Sequence, residues 1–365
     1  MRGSARRYLV ALAAGGCVCI GAGTAGATTP AIACGSTLTT STTLTADLLN
    51  CPGTALVIGA DGITVNLGGH TISGTNAKGS EGIANDGHAG VRIVGSGKIT
   101  DFRLNGVGMR KAPKSVVRGL TIRRIGAGGV EGEPVSAGIA IVDSPASQVN
   151  GNDVANDVKA FQSDGADVLN SPSSVVKGNK LSHNAWNGLV LIDSAGSRIA
   201  GNELDDNGNN GTEVNGKSDS TSVTGNSADG NQAIGIVVGS VHNARVVGNS
   251  AQGNDTGLFF FDLHASLIGK NSAKGNRIGI QLTGGQFGSS DNRLTGNTAN
   301  RNEESGIIVD DEKPENLSKN TVKGNTANKN ELHGIEAIAG VIDGGGNRAS
   351  GNATPPQCIG VVCSG

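Results

Sequence analysis

The chain has 365 residues, enough for one large domain or two ordinary ones, and a formal net charge of −2 at pH 7. Glycine supplies 60 residues, about 16% against a usual ~7%, asparagine supplies 35, and aromatic residues make up 2%. This excludes a helical protein, because Gly and Asn are poor helix formers. It excludes collagen, because the glycines do not recur every third residue. It also disfavours a nucleic-acid binder, which needs positive charge and stacking platforms.

The first segment, 1–27, reads as a secretory signal. Arg2, Arg6 and Arg7 precede the apolar run Leu9 to Ile20, and Ala25-Gly26-Ala27 is a cleavage site before Thr28. The apolar run is too short and too broken by glycine for a membrane anchor. Cys17 follows Ala14-Gly15-Gly16, a poor lipidation box. Removing the segment leaves 26 basic against 31 acidic side chains, a net charge of −5. It also leaves four cysteines, in two local pairs at the chain's two ends. In an exported protein Cys34–Cys51 and Cys358–Cys363 are the natural disulfides. A metal site is the rival reading, but the pairs lie far apart in sequence and no histidine adjoins either.

A repeat longer than twenty residues sets the fold. A Gly-Asn step follows a β-branched residue at Asn152, Asn179, Asn202, Asn226 and Asn249. It continues at Lys270-Asn271, Asn297, Asn325 and a degenerate Asn347. Nine or ten residues after each step there is usually a second glycine before an aliphatic residue, as at Gly188-Leu189, Gly235-Ile236 and Gly279-Ile280. Aligned, the repeats give apolar columns. One runs Val149, Val176, Ile199, Val223, Val246, Ile268, Leu294, Val322. A second runs Val154, Leu181, Leu204 and then alanines. A third runs Ile139, Leu189, Ile236, Leu258, Ile280, with partners two residues on. The i, i+2 spacing is strand alternation. Three short strands per repeat wind into a coil, and coils stack in parallel. The expected fold is all-β: a single-stranded right-handed parallel β-helix of about eleven coils, three short strands per coil. The asparagines are read as turn residues tolerant of left-handed backbone, able to bond along the column. Residues 28–61 are expected as an N-terminal disulfide-stapled cap, 62–352 as the helix, and 353–365 as a C-terminal disulfide-closed cap.

The stretch Cys34-Gly35-Ser36-Thr37-Leu38, then Leu44 to Leu48, then Leu56 to His70 with Thr71-Ile72, resembles the opening coil of secreted parallel β-helix repeat proteins in the pectin lyase-like superfamily. The resemblance covers nearly the whole mature chain and is specific for fold. That superfamily hosts lyases, hydrolases, epimerases, copper-delivery proteins of the NosD type and proteins of no known activity. It implies a cleft along the strand opened by the second glycine.

Two neighbouring turns before that strand are enlarged, Gly119 to Gly138 and Gly151 to Gly165. They carry Arg123, Arg124, Glu131, Glu133, Lys159, Gln162 and Asp164, and the next turn carries His183 and Trp186. The outward position two after each second glycine reads Ala140, Asp167, Val190, Glu213, Val237, Phe259, Gln281, Ile308, Glu336. Asp167 and Glu213 stand two coils apart, about 9.6 Å between backbones, a separation that suits an inverting glycosidase. Candidate catalytic residues are therefore Asp167, Glu213 and Lys159. Candidate substrate-binding residues are Trp186, Asp164 and His183. The bland reading is that outward acids only solubilise an exposed strand.

The same column carries no Lys or Arg and the mature chain has no tyrosine, which argues against a strong uronate lyase. Neither Asp-Pro-His-Asp nor the paired-Asp with Arg-x-Lys pattern occurs. The apolar outward residues suggest a self-associating face. His242 and His264 fall about 4.8 Å apart in successive coils, without an evident third metal ligand. Asp143, Asp193, Asp262 and Asp311 read as turn residues capping backbone amides. Calcium at that column has no ligand motif behind it, and no cofactor is expected. Two functions remain open. One is an exported scaffold that recognises polysaccharide or a cell-surface partner, without an identifiable catalytic motif. The other is a carbohydrate-active enzyme, hydrolase or lyase, with a cleft near Asp167 and Glu213.

Overall fold

A computed structural model describes residues 32–126, 136–156 and 163–365. Residues 33–365 form one unit. It is a parallel β-helix in which every strand pairs with its counterpart one coil away. The longest sheet, here sheet A, is 16-stranded and runs from Ser36–Leu38 to Cys358–Ile359. Sheet B has 13 strands, from Thr42–Thr43 to Ile342–Asp343. Sheet C starts as a six-stranded block and continues through single bridges such as Glu203 to Ser227 into a three-stranded block. Thirteen coils stacked at about 4.8 Å span roughly 60 Å.

The count exceeds the eleven expected from the repeat. The first coil lies inside the stretch assigned to the cap: Ser36–Leu38 pairs with Leu56–Ile58, and Thr42–Thr43 with Thr64–Asn66. These early coils lack the Gly-Asn step, so the repeat does not reveal them. Both disulfides form, Cys34–Cys51 and Cys358–Cys363. Cys51, Cys358 and Cys363 lie on strands and Cys34 in the turn just before Ser36–Leu38; Cys358–Ile359 pairs with Ile335–Ala337.

The three apolar columns are the three inner walls. Val149 to Val322 lines sheet B, Val154 to Ala327 sheet C, and Ile139 to Ile335 sheet A, all nearly or fully buried. The asparagine column is also internal. The left-handed residue at that corner is the preceding glycine, with φ near 60° at Gly151, Gly178 and Gly201. The asparagine turns inward instead. Asn179 Oδ1 accepts from both the backbone N–H (2.9 Å) and the Nδ2 (3.0 Å) of Asn152, while its own Nδ2 donates to Val149 O (2.8 Å). The pattern repeats to Asn347. A buried amide with every group paired supports the turn, whereas an unpaired one would cost stability.

A second ladder runs parallel to the first: Asn184, Asn207, Asn231, Asn254, Asn276, Asn302, Asn330 and Asn352, starting from Asn156. Its sequence signal is an asparagine five residues after the first. The second glycine belongs to this corner. A Cβ on Gly165 would sit 2.4 Å from Gly188 O and 2.8 Å from Asn184 Nδ2, so only glycine lets the coils approach and the ladder close. A third corner is lined by serines: Ser144, Ser171, Ser194 and Ser218 bond from coil to coil.

Candidate functional site

The outer face of sheet A carries the acidic cluster. Asp164 and Asp167 stand on the strand Ser163–Leu169, which lies between Ser136–Val142 and Leu189–Ile192. Asp167 is opposite Val190, and Val190 is opposite Glu213, so the two acids are two rungs apart, about 9.6 Å along the sheet. Strand alternation thus brings together the outward residues that the sequence singled out.

Their environment differs from that of surface acids. Asp164 and Asp167 are 3% and 7% exposed, and Glu213 is half-buried. The two aspartates hydrogen-bond each other. Asp164 Oδ1 also accepts the backbone N–H of Asn187 at 2.7 Å. Burial pushes Asp164 up to about 7, against the lowering effect of the Asn187 N–H and the Asp167 hydrogen bond; the Glu213 charge adds to the rise. Burial, then the charge of Asp164, drives Asp167 well above the usual carboxylate range. Both carboxyls are thereby shifted toward the protonated form, and the pair as a unit holds a proton more tightly than two surface aspartates would. Its Oδ1 has no hydrogen-bond partner among the described residues. A neutral carboxyl held beside a carboxylate can act as a general acid.

The backbone N–H of Trp186 donates to Ser163 O (3.1 Å), which sets this half-buried residue beside the start of the Asp164 strand. His183 does not join the acids. It is exposed, has φ 58°, and turns its ring toward Asp206 at 3.9 Å. Arg123 is held by Asp153 and Arg124 by Asp101. Lys159, Gln162, Glu131, Glu133 and the segment 1–27 lie outside the described residues. Of the apolar outward residues, Val190, Val237 and Ile308 are buried and Phe259 is half-buried.

A second acidic cluster was not singled out from the sequence. Glu81 occupies the same column as Asp164, through Asn105 and Ala137. Arg110 grips it with both Nη atoms (2.7 and 2.5 Å) and reaches Asp86 through Nε (2.5 Å). Its sequence signal was the acid immediately before a second glycine, Glu81-Gly82, as in Asp164-Gly165.

His242 and His264 stack with ring centroids 4.8 Å apart, the spacing expected of them. Asp193 and Asp262 cap amides of the next coil, at Lys217 and Phe287, and Asp311 caps Gly284 and Lys313, each with a left-handed residue or tight turn at that corner.

The family model described as periplasmic copper-binding protein (NosD) matches residues 53–287. The chain belongs to the NosD family. A model of the right-handed β-helix region matches residues 223–353. No curated protein matches the sequence. Among solved structures, a point mutant of the periplasmic alginate epimerase AlgG is 16% identical over 81% of this chain and 76% of its own, with a TM-score of 0.64. The A-module of a mannuronan C-5 epimerase from Azotobacter vinelandii is 14% identical over 91% and 92%, with a TM-score of 0.57. The catalytic unit of a thermostable α-1,3-glucanase from Streptomyces thermodiastaticus is 14% identical over 87% and 62%, with a TM-score of 0.60. At these identities the likeness is one of fold.

The family description raises copper, whose protein ligands are imidazole, thiolate and thioether. The described residues of this NosD-family chain do not supply such a set. No three His, Cys, Asp or Glu side chains are placed among them so as to hold a metal ion. Cys34, Cys51, Cys358 and Cys363 are in disulfides, and Met109 is buried against the Asn85 amide. The stacked histidines direct Nδ1 to Asp219 and to Ser290. No described helix is long and apolar enough to cross a membrane.

Proposed function

We propose that this protein is exported and acts on a neutral polysaccharide held along the outer face of sheet A, hydrolysing it at Asp164, Asp167 and Glu213. The observation that carries the reading is the buried Asp164–Asp167 pair, with one unpartnered carboxyl oxygen, two rungs from Glu213 on one face. Asp167 donates its proton to the glycosidic oxygen while Asp164 orients it. Glu213 takes a proton from water, the water oxygen bonds to the anomeric carbon, and the glycosidic C–O bond breaks. Acids about 6.5–9.5 Å apart leave room for that water and lead to inversion. Trp186 offers a face for a sugar ring. Among the described residues no ion pair joins a cation to Asp164, Asp167 or Glu213, which favours a neutral over an acidic chain. Two disulfides suit an oxidising compartment outside the cytoplasm.

Recognition without turnover is the second reading. It is favoured by the low exposure of Asp164 and Asp167, which restricts how closely a sugar can approach them. One experiment separates the two. The mature protein is incubated with glucans, xylan and mannan, and new reducing ends and their anomeric configuration are followed. Inverted ends, lost in Asp167→Asn and Glu213→Gln, support hydrolysis. Retention on a polysaccharide without product leaves recognition.

A further inference from the structure

Sheet B carries a different charge pattern on its outer face. In each three-residue strand the middle residue lines the core, and the first and third face outward. From Arg92–Val94 to Thr321–Lys323 those outward positions hold seven exposed cations: Arg92, Arg118, Lys177, Arg198, Arg245, Arg293 and Lys323. No Asp or Glu occupies an outward position on these ten strands. None of the seven cations makes an ion pair or side-chain hydrogen bond among the described residues. Several cations on other faces are paired with acids, among them Arg110, Arg123, Lys180 and Arg277. A protein of net negative charge thus keeps one face free of acids.

The register gives that face a repeat. Arg198, Ser222, Arg245, Leu267 and Arg293 lie on consecutive rungs, so an arginine recurs every second coil, about 9.6 Å apart. Shallow depressions lie beside two pairs of these cations, Arg92 with Arg118 and Lys177 with Arg198.

We infer that the outer face of sheet B binds a linear anionic polysaccharide, laid along the helix axis with its carboxylates on the arginine row. Charge complementarity is the first argument. The regular axial spacing is the second, since it matches a polymer with a repeating charge. Arginine forks carboxylates in two-point contacts, which lysine cannot do. These ten strands expose no large apolar side chain to enter a bilayer and carry no aromatic residue to stack on bases. The inference does not depend on hydrolysis at sheet A, whose acids would repel the same polymer.

The test is retardation of the mature protein in gels containing polygalacturonate, with dextran as the neutral control. Retardation at low salt that fades as salt rises is expected. Arg198→Gln, Arg245→Gln and Arg293→Gln together are expected to weaken binding about tenfold or more. Arg277→Gln, paired with Asp255 and Glu304 off this face, leaves it unchanged. Melting curves of the triple variant check that it folds. Absence of retardation at low salt, or a triple variant that binds like the parent, overturns the inference. Equal competition by duplex DNA or by anionic phospholipid vesicles overturns it as well.

Discussion

Glu81 and Asp164 occupy one column of sheet A three coils apart, yet they solve the burial of an acid in opposite ways. Glu81 is matched by the Arg110 fork and by the Asn105 amide, Nδ2 to Oε1 at 2.5 Å. Asp164 has a backbone N–H and a second acid, Asp167, and so the pair holds a proton instead of a counter-ion. The lesson is that the same position, on the same scaffold, becomes structural or chemically poised according to its neighbour. An ion pair locks charge in place, whereas a shared proton can be given away.

That contrast can be broken at either end. The largest effect is expected at the proton-sharing end. If Asp167 is the acid, Asp167→Asn lowers turnover by about 10²–10⁴-fold while leaving retention on the polysaccharide intact. Reducing-end assays with binding run in parallel check this, and an unchanged rate would return the pair to a structural role. At the ion-paired end, Arg110→Met strands a buried charge and should cost about 3–5 kcal/mol, read as a fall in unfolding midpoint. The matched change Asp167→Asn should cost far less, because it strands no charge.

The asparagine ladders run beneath most of the coil and sharpen the comparison from within. Asn202→Ala leaves the Asn179 side chain and backbone N–H without their acceptor and should cost about 1–3 kcal/mol. Asn150→Ala, whose half-buried side chain donates only to Gln148 and leaves its Oδ1 unpartnered among the described residues, should cost much less in the same urea titration. A further effect is one of pH. Asp164 is raised in the fold to about 7 from 3.8, so the native state binds the extra proton more tightly than the unfolded chain. Its contribution is complete below about 4 and is lost as pH rises through about 7. Thermal midpoints should therefore fall from pH 4 to pH 8 by this contribution, and Asp164→Asn should flatten that slope. Arg110→Met should not flatten it.

Much of this was legible in the chain. The columns at Val149, Val154 and Ile139 became the three inner walls, because side-chain alternation along a strand is local and survives in any stack. The rung-by-rung placement of Asp167, Val190 and Glu213 followed from the same periodicity, as did the 4.8 Å stack of His242 on His264. Other features were hidden. The first coil overlaps the stretch assigned to the disulfide-stapled cap, although the resemblance of Cys34 to Ile72 pointed to an opening coil there. His183 was expected near the acids, but its left-handed backbone points the ring to Asp206.

The sequence by itself determined a stacked parallel coil, its inward columns and the order of outward residues along each sheet, because a repeat with fixed spacing leaves no freedom in register. Only the tertiary structure decided which acids are charged and which cations are free. Those depend on atoms brought together across coils: Arg110 onto Glu81, the Asn187 N–H onto Asp164, and, among the described residues, no acid onto Arg198, Arg245 or Arg293. Burial and pairing set protonation, and neither can be read from a residue's place in the chain alone.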